Sequence, residues 1–165
     1  MAFDAFLKLD GVPGESTDDK HKDWIEVLSY SWGVSQPASG SASSGGARSA
    51  ERCNHEDFQI TKALDKASPK LFLACCNGEH IKEVKFSLNR ATGDKQQYML
   101  YVLSDAIVSS VKPGGTADAA ETLPIETVRF NYGSIDLTYT ETDHNTGKPK
   151  GDVKAGWDLT KNTKR

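Results

Sequence analysis

Two long runs of β-branched and aromatic residues decide the fold: YMLYVLSDAIVSSV at residues 98–111 and LPIETVRFNYGSIDLTYTET at residues 123–142. A Pro-Gly-Gly sequence at residues 113–115 is a turn signal, so the two runs are typical of neighbouring antiparallel strands. In the second run the apolar residues change parity around Gly133. A glycine at a parity shift predicts a β-bulge.

Shorter segments with strand character lie on both sides of these runs. Their apolar residues alternate with polar ones, which is the period of a strand with one buried face. The predicted strands span residues 3–9, 24–35, 56–61, 81–90 and 153–159.

The segment at residues 24–35 has two different faces. Its large residues share one parity and predict the buried side: Trp24, Leu28, Tyr30, Trp32 and Val34. The alternate positions become small and uncharged: Ser29, Ser31, Gly33 and Ser35. In a monomer such a face would be an ordinary solvent surface, and in an oligomer it would line a cavity or channel shared between subunits.

The composition changes abruptly after this segment. Twelve of the fifteen residues at 36–50 are Ala, Gly or Ser, and Arg48 is the only charged one. Such a stretch cannot bury enough apolar area to order itself, so we expect a loop that is flexible in the free subunit. A linker between domains is disfavoured because the preceding residues are too few for a core of their own. The prediction is a single domain, residues 1–165, with a flexible loop at residues 36–52.

One short helix is predicted after the third strand. Ser68 is placed as its N-cap, Pro69 at its first position and Gly78 at its end, with apolar residues at 71–76 between them. One helix among seven or so strands predicts a mainly antiparallel β-barrel or sandwich.

The composition excludes several classes of protein. The chain has 165 residues, a formal charge of −3 and 37% hydrophobic residues, and its mean hydropathy is −0.54. No apolar stretch approaches the ~20 residues of a membrane-spanning helix, and the first residues do not predict a signal peptide. Three cysteines, two of them adjacent, fit a reducing compartment. An acidic pI of about 5.8 argues against nucleic-acid binding.

No catalytic constellation is visible, so we predict neither an enzyme nor a cofactor or metal. The patterns GxSxG, SxxK and HExxH are missing from the sequence. His55 and Asp57 share a strand face, but without a third ligand they predict a solvated pair. Two alternatives stay open. One is a small hydrolase that uses Cys75 or Cys76 with a histidine, and the other is a monomeric carbohydrate-binding sandwich that uses Trp24 or Trp32.

Six blocks of the sequence, taken together, resemble the haemolysin-coregulated protein family, called Hcp. They are Gly11-x-x-Gly14-Glu15-Ser16 after the opening strand, residues 24–35, residues 61–71, Ser109-Ser110-Val111, residues 123–128 and Gly156-Trp157-Asp158. Each block alone is a weak signal, but the combination is specific and extends over essentially the whole chain. Because no further domain is expected after Arg165, the chain resembles the plain form of the family.

The resemblance implies a β-barrel of two sheets with a flanking helix, assembled as a ring of six copies around a lumen. Such rings stack into the inner tube of the type VI secretion system, which sheath contraction expels and which binds and exports effectors in its lumen. The implied partners are the chain itself, secreted effectors, and spike, sheath and baseplate proteins, with no nucleic acid and no direct membrane insertion. The implied location is the bacterial cytoplasm, followed by the extracellular space or a target cell.

The resemblance also assigns residues. By the family pattern the lumen-facing set is Ser29, Ser31, Gly33 and Ser35. The loop that reaches neighbouring subunits or the next ring includes Gly40, Ser44, Gly45, Gly46 and Arg48. Residues 1–26 carry a net charge of −4 and residues 141–165 carry +2, so we hypothesise that these segments face each other across an interface.

Overall fold

A computed structural model describes residues 2–39, 49–91, 93–117 and 123–165. Thirteen strands and one helix lie within these ranges. They are β1 Phe3–Leu9, β2 Ile25–Val27, β3 Ser29–Ser31, β4 Val34–Ser35, β5 Ala38–Ser39, β6 Ser49–Ala50, β7 Asn54–His55, β8 Phe58–Ala63, α1 Ser68–Asn77, β9 Ile81–Arg90, β10 Gln97–Gly114, β11 Ile125–Thr142, β12 Pro149–Asp158 and β13 Thr163–Lys164.

All the ladders are antiparallel, as predicted. The main sheet follows the order β13-β12-β11-β10-β9-β1-β2, and β8 pairs with both β11 and β3. The two longest runs of the sequence form its centre, β10 and β11. Continuous pairing does not close the sheet into a barrel, because β2 pairs with β1 while β3 pairs with β8.

The prediction of one continuous strand at residues 24–35 is wrong, and so is part of its buried face. Ile25 and Val27 are buried, whereas Leu28 is 61% exposed. At Leu28 the chain leaves β1 and joins β8, and the Leu28 N–H donates to the Thr61 carbonyl at 2.8 Å. This change of partner interrupts the alternation of buried and exposed residues. Leu28 and Ser29 are both exposed, and Tyr30, the next residue, packs against the core.

Aromatic rings fill the middle of the core. Phe58 and Phe86 pack edge-to-face at 5.2 Å, and the Tyr101 ring lies 5.4 Å from that of Phe58. Tyr30 and Trp32 contact this cluster from the segment after Leu28, as the sequence predicted for these two residues. Val34, which was assigned to the same buried face, is exposed.

The predicted helix is present, with one correction. It ends as expected at Gly78, which has a φ of 64° and donates its N–H to the Ala74 carbonyl. Ser68 is not the N-cap, because it is the first helical residue and its hydroxyl is engaged elsewhere. That hydroxyl accepts from the Asp65 N–H at 3.1 Å and donates to the Glu126 carboxylate at 2.7 Å. Within the described ranges, no helix is long and apolar enough to span a membrane.

The predicted bulge at Gly133 is displaced. The β10–β11 register continues through Gly133 and shifts instead between Val108 and Ser110. Opposite Gly133 lies Asp105, whose φ is 50°. A Cβ atom at Gly133 would lie 3.3 Å from the Asp105 side chain, so this glycine permits a close approach of two strands.

Both ends of the predicted loop form short ladders. Val34 pairs with His55, and Ala38 pairs with Ala50. The two ladders are separate from the main sheet, and we call them the ribbon. A segment rich in Ala, Gly and Ser can pair in this way, because pairing satisfies its backbone N–H and C=O groups. Residues 40–48 lie outside the described ranges, and the flexibility of the loop stays a prediction.

Candidate functional site

Ser29 and Ser31 lie on the outer face of the structure, where β3 runs beside β8. Ser29 is opposite Thr61, and Ser31 is opposite Gln59. Both serines are exposed, and their neighbours on β8 are half-buried. Residues opposite each other in a ladder point to the same side of the sheet, so these four side chains form one polar surface.

The same surface continues onto β11. Thr127 is opposite Thr61, and Arg129 is opposite Gln59. The Arg129 Nε atom donates to the Gln59 Oε1 atom at 2.9 Å, which links the two side chains across the strands. We call this surface the polar outer face: Ser29, Ser31, Gln59, Thr61, Thr127 and Arg129.

Asp57 and its neighbours extend the polar outer face at one end. The Asp57 carboxylate accepts from the Ser109 hydroxyl at 2.7 Å and from the Asn131 amide at 3.0 Å. Asp57 is therefore hydrogen-bonded to polar neighbours, but the expected solvated pair is wrong for His55, whose Nδ1 atom is buried.

His55 lies behind this end of the face. Its ring packs edge-on against Tyr132, with 6.2 Å between the centroids, and its buried Nδ1 atom makes no hydrogen bond to the residues that the structure describes. Burial lowers the pKa of His55, because an imidazolium would lose its hydration there.

A hydrogen-bond chain fastens the segment after β3 to β11. The Trp32 Nε1 atom donates to the Tyr132 hydroxyl at 2.5 Å, and that hydroxyl donates to the Glu56 carbonyl at 3.0 Å. Burial raises the pKa of Tyr132 to about 12, so the phenol stays neutral and able to donate. Trp32 therefore works as a packed and hydrogen-bonded anchor.

The structure separates the four residues predicted as one face. Ser29 and Ser31 belong to the polar outer face, whereas Gly33 follows β3 and accepts from the Glu56 N–H at 3.0 Å. Ser35 lies in the separate β4–β7 ladder, opposite Asn54. The loop residues Gly40, Ser44, Gly45, Gly46 and Arg48 lie outside the described ranges.

Sequence reasoning missed the contributions of β8 and β11 to this surface. Their polar residues alternate with the core residues Phe58, Ile60, Val128 and Phe130, and all four of these are buried. This alternation of polar and apolar residues within each strand was the signal in the sequence. The sequence alone does not show that the two strands and β3 are neighbours.

Two of the three cysteines lie on α1 and differ in burial. Cys75 is half-buried against the core, and Cys76 is exposed on α1. In the part of the chain that the structure describes, no hydrogen bond joins a cysteine to a histidine. The geometry gives the hydrolase alternative no support.

Comparison with known proteins decides the family. The family model for the type VI secretion system effector Hcp matches residues 6–139. The chain belongs to the Hcp family. It is 37% identical over 163 residues to the protein hcp1 of Pseudomonas aeruginosa, with 98% of each chain covered. It is also 30% identical over 136 residues to the major exported protein of that organism, covering 76% of this chain and 74% of the relative.

Solved structures of Hcp proteins have the same fold. A type six secretion system protein superposes with a TM-score of 0.92 at 34% identity, covering 99% of this chain and 100% of the other. Hcp1 from Salmonella typhimurium superposes with a TM-score of 0.81 at 34% identity, with both chains fully covered at 100%. The chain is therefore a type VI secretion protein of a structural, secreted family, and neither the hydrolase nor the carbohydrate-binding alternative is supported.

Proposed function

We propose that this Hcp chain is the subunit of a type VI secretion tube. Six copies form a ring around a lumen, rings stack into a tube, and effectors travel inside the tube when a sheath contracts. The observation that carries this proposal is the polar outer face. It presents six polar side chains on three adjacent strands, which suits a water-filled channel.

The barrel of each subunit is part of the proposal. β2 and β3 are separated only by Leu28, yet β2 pairs with β1 and β3 pairs with β8, which lie at opposite ends of the series β1-β9-β10-β11-β8. A chain that changes partner in this way forms a corner between two sheets. The two sheets would then enclose the aromatic core while their outer side stays wet.

The polar outer face would bind effectors weakly and at many points. Hydroxyl and amide groups offer hydrogen bonds that exchange readily with water, and each contributes only about 0.5–1.5 kcal/mol net. Such a surface can retain a small protein inside a ring without trapping it. Release after expulsion would then need no dedicated chemical step.

The ribbon at β4–β7 and β5–β6 would carry the loop toward neighbouring copies. A segment that orders when it docks binds with lower affinity per unit area, so free rings would stay separate until stacking is nucleated. Spike, sheath and baseplate proteins are the further partners proposed. Export by this route would need no signal peptide, and the relative named a major exported protein supports an extracellular destination.

The assembly is tested by light scattering on the purified chain. We expect a species with six times the 18.0 kDa mass of the monomer, visible as rings in electron micrographs. A strict monomer at high concentration would contradict the proposal.

The lumen assignment is tested with Ser31→Gln. The longer side chain narrows the channel, so the ring should persist while a co-expressed effector co-purifies less. Lys66→Gln is the control, because Lys66 is exposed and lies outside the polar outer face. Equal effector recovery from both variants would refute the assignment of Ser31 to the lumen.

A further inference from the structure

A second cation lies beside the polar outer face, on β10. Lys112 is opposite Thr127, and Ser110 is opposite Arg129. Residues opposite each other in a ladder point to the same side of the sheet, so the Lys112 and Ser110 side chains border this face. Lys112 and Arg129 are both exposed, so solvent or a ligand can reach their charged groups.

The two cations are close enough to act on one ligand. Thr127, the residue opposite Lys112, lies two positions before Arg129 on β11. Lys112 and Arg129 are therefore diagonal neighbours, and such neighbours in adjacent strands are about 7–8 Å apart. Because Arg129 donates its Nε–H to Gln59, its two Nη groups point away from that bond. A planar pair of N–H donors of this kind fits a carboxylate through two parallel hydrogen bonds.

Neither cation has an acidic partner among the described residues. The ion pairs found in those ranges include neither Lys112 nor Arg129. Asp57, which extends the face at one end, is instead bonded to the Ser109 hydroxyl and the Asn131 amide. The face, Asp57 and Lys112 together carry two cations and one carboxylate, a net charge of +1 for each copy.

We propose that this face selects effectors by charge and binds proteins with an acidic surface, an inference that rests on the proposed tube. Lys112 and Arg129 hold carboxylates of the effector, and the neighbouring hydroxyl groups bind water or polar groups around them. In a ring of six copies the two cations recur around the lumen, so a passenger meets several of them at once. Several weak contacts made together bind far more tightly than one.

A nucleic acid is the competing polyanion. A duplex carries one charge per ~1.7 Å of its axis, and a protein that binds it neutralises many phosphates with a dense set of Lys and Arg. Here two cations stand among neutral side chains beside a carboxylate, in a chain with a net charge of −3. This sparse pattern matches the scattered carboxylates of a protein surface better than a continuous row of phosphates.

Fluorescently labelled homopolymers of glutamate, glutamine and lysine, equal in length, test the selection on assembled rings. Binding is followed by fluorescence anisotropy. At low salt we expect the wild-type ring to bind polyglutamate at least about tenfold more tightly than polyglutamine, because several charge contacts form together. The difference should vanish at about 1 M salt, where screening limits charges to about 3 Å.

Matched variants locate the binding. The lumen variant carries Lys112→Gln and Arg129→Gln, and the control carries Lys150→Gln and Lys154→Gln, at exposed positions on β12 outside the face. We expect polyglutamate to bind the lumen variant at least about tenfold more weakly than the wild type, and to bind the control equally well. Reversing the charges, with Lys112→Glu and Arg129→Glu, should transfer the preference to polylysine.

The outcomes separate this inference from the proposed function. Circular dichroism and light scattering should show that each variant folds and forms rings, and the two single substitutions to Gln replace the lumen variant if it does not assemble. Wild-type affinity in the lumen variant, or lost binding in the control, would overturn the selection while the tube stands. Tighter binding of a single-stranded oligonucleotide of equal charge would also overturn it, in favour of nucleic acid. A wild-type chain that forms no rings contradicts the proposed function itself.

Discussion

The Lys62 Nζ atom and the Glu126 Oε1 atom lie 2.5 Å apart, and their side chains are only 0% and 2% exposed. The ammonium also contacts the Asp65 carboxylate at 2.9 Å and the Ser68 hydroxyl at 3.2 Å. This buried cluster joins β8 to β11 and to the first residue of α1. A buried charge needs such partners, because its loss of hydration is otherwise uncompensated.

Removing the ammonium should therefore destabilise the subunit strongly. Lys62→Met leaves the Glu126 and Asp65 carboxylates without their cation, and we expect the free energy of unfolding in urea to fall by about 3–5 kcal/mol. Lys85→Met is the matched control, because Lys85 pairs with Glu83 at 3.1 Å on the surface, where such pairs contribute about 0–1 kcal/mol. Equal losses in the two variants would contradict the role of the buried cluster.

The aromatic core predicts a second difference between matched variants. Phe58 is fully buried among Tyr30, Phe86 and Tyr101, so Phe58→Ala should lower the free energy of unfolding by about 3–5 kcal/mol. Phe72 on α1 is 62% exposed, and Phe72→Ala should cost far less. A core that tolerated Phe58→Ala as well as Phe72→Ala would not have the packing described.

Gly14 should not tolerate a side chain. A Cβ atom there would lie 2.4 Å from the Trp24 carbonyl oxygen, a contact with backbone that cannot rotate away. We expect Gly14→Ala to destabilise the subunit by about 1–3 kcal/mol, measured by urea unfolding. Gly114→Ala, with no atom within 4 Å of the new methyl group, should change stability little. Similar stabilities for the two variants would show that the loop moves away.

The stability of the subunit should depend on pH through Asp18. A hydrogen bond from the Lys95 ammonium, helped by His21 and the Lys20 N–H, lowers the pKa of Asp18 from 3.8 to about 2. The folded state binds the proton less readily than the unfolded state, so this contribution is present above pH 4 and is lost as the pH falls toward 2. The melting temperature should fall over this interval.

Asp18→Asn should flatten that part of the pH profile and lower the melting temperature at neutral pH. Asp19→Asn, at the exposed neighbouring position, is the control and should keep the wild-type slope. An unchanged slope in Asp18→Asn would remove Asp18 as the source of the acid sensitivity.

Much of the architecture could be predicted because it is local. The alternation in residues 3–9 and 81–90 predicts strands, and the structure has them at Phe3–Leu9 and Ile81–Arg90. Pro69 and Gly78 mark the two ends of the helix. The proline ring fixes φ at the start, and Gly78 adopts the left-handed conformation at the end, and each effect acts within one turn. The combination of blocks along the chain predicted the family, which the comparison confirmed.

The candidate site could be predicted only in part. The small residues of β3 indicated a distinctive face. However, the alternation of residues along a strand shows only which side chains share a face of that strand, and it does not show which strands are its neighbours. The reversal at Leu28 depends on the Thr61 carbonyl, and the polar outer face exists because Gln59 and Arg129 lie in adjacent strands. These contacts join residues far apart in the chain.

The sequence by itself thus determined the β-rich class, the helix and the family, since each follows from short-range patterns or from the order of the blocks. Only the tertiary structure decided which faces are exposed, which charges are buried, and where the sheet ends. Lys62 shows the physical reason. It has the parity of Phe58 and Ile60, and a lysine can be buried there only because β11 brings Glu126 to its ammonium.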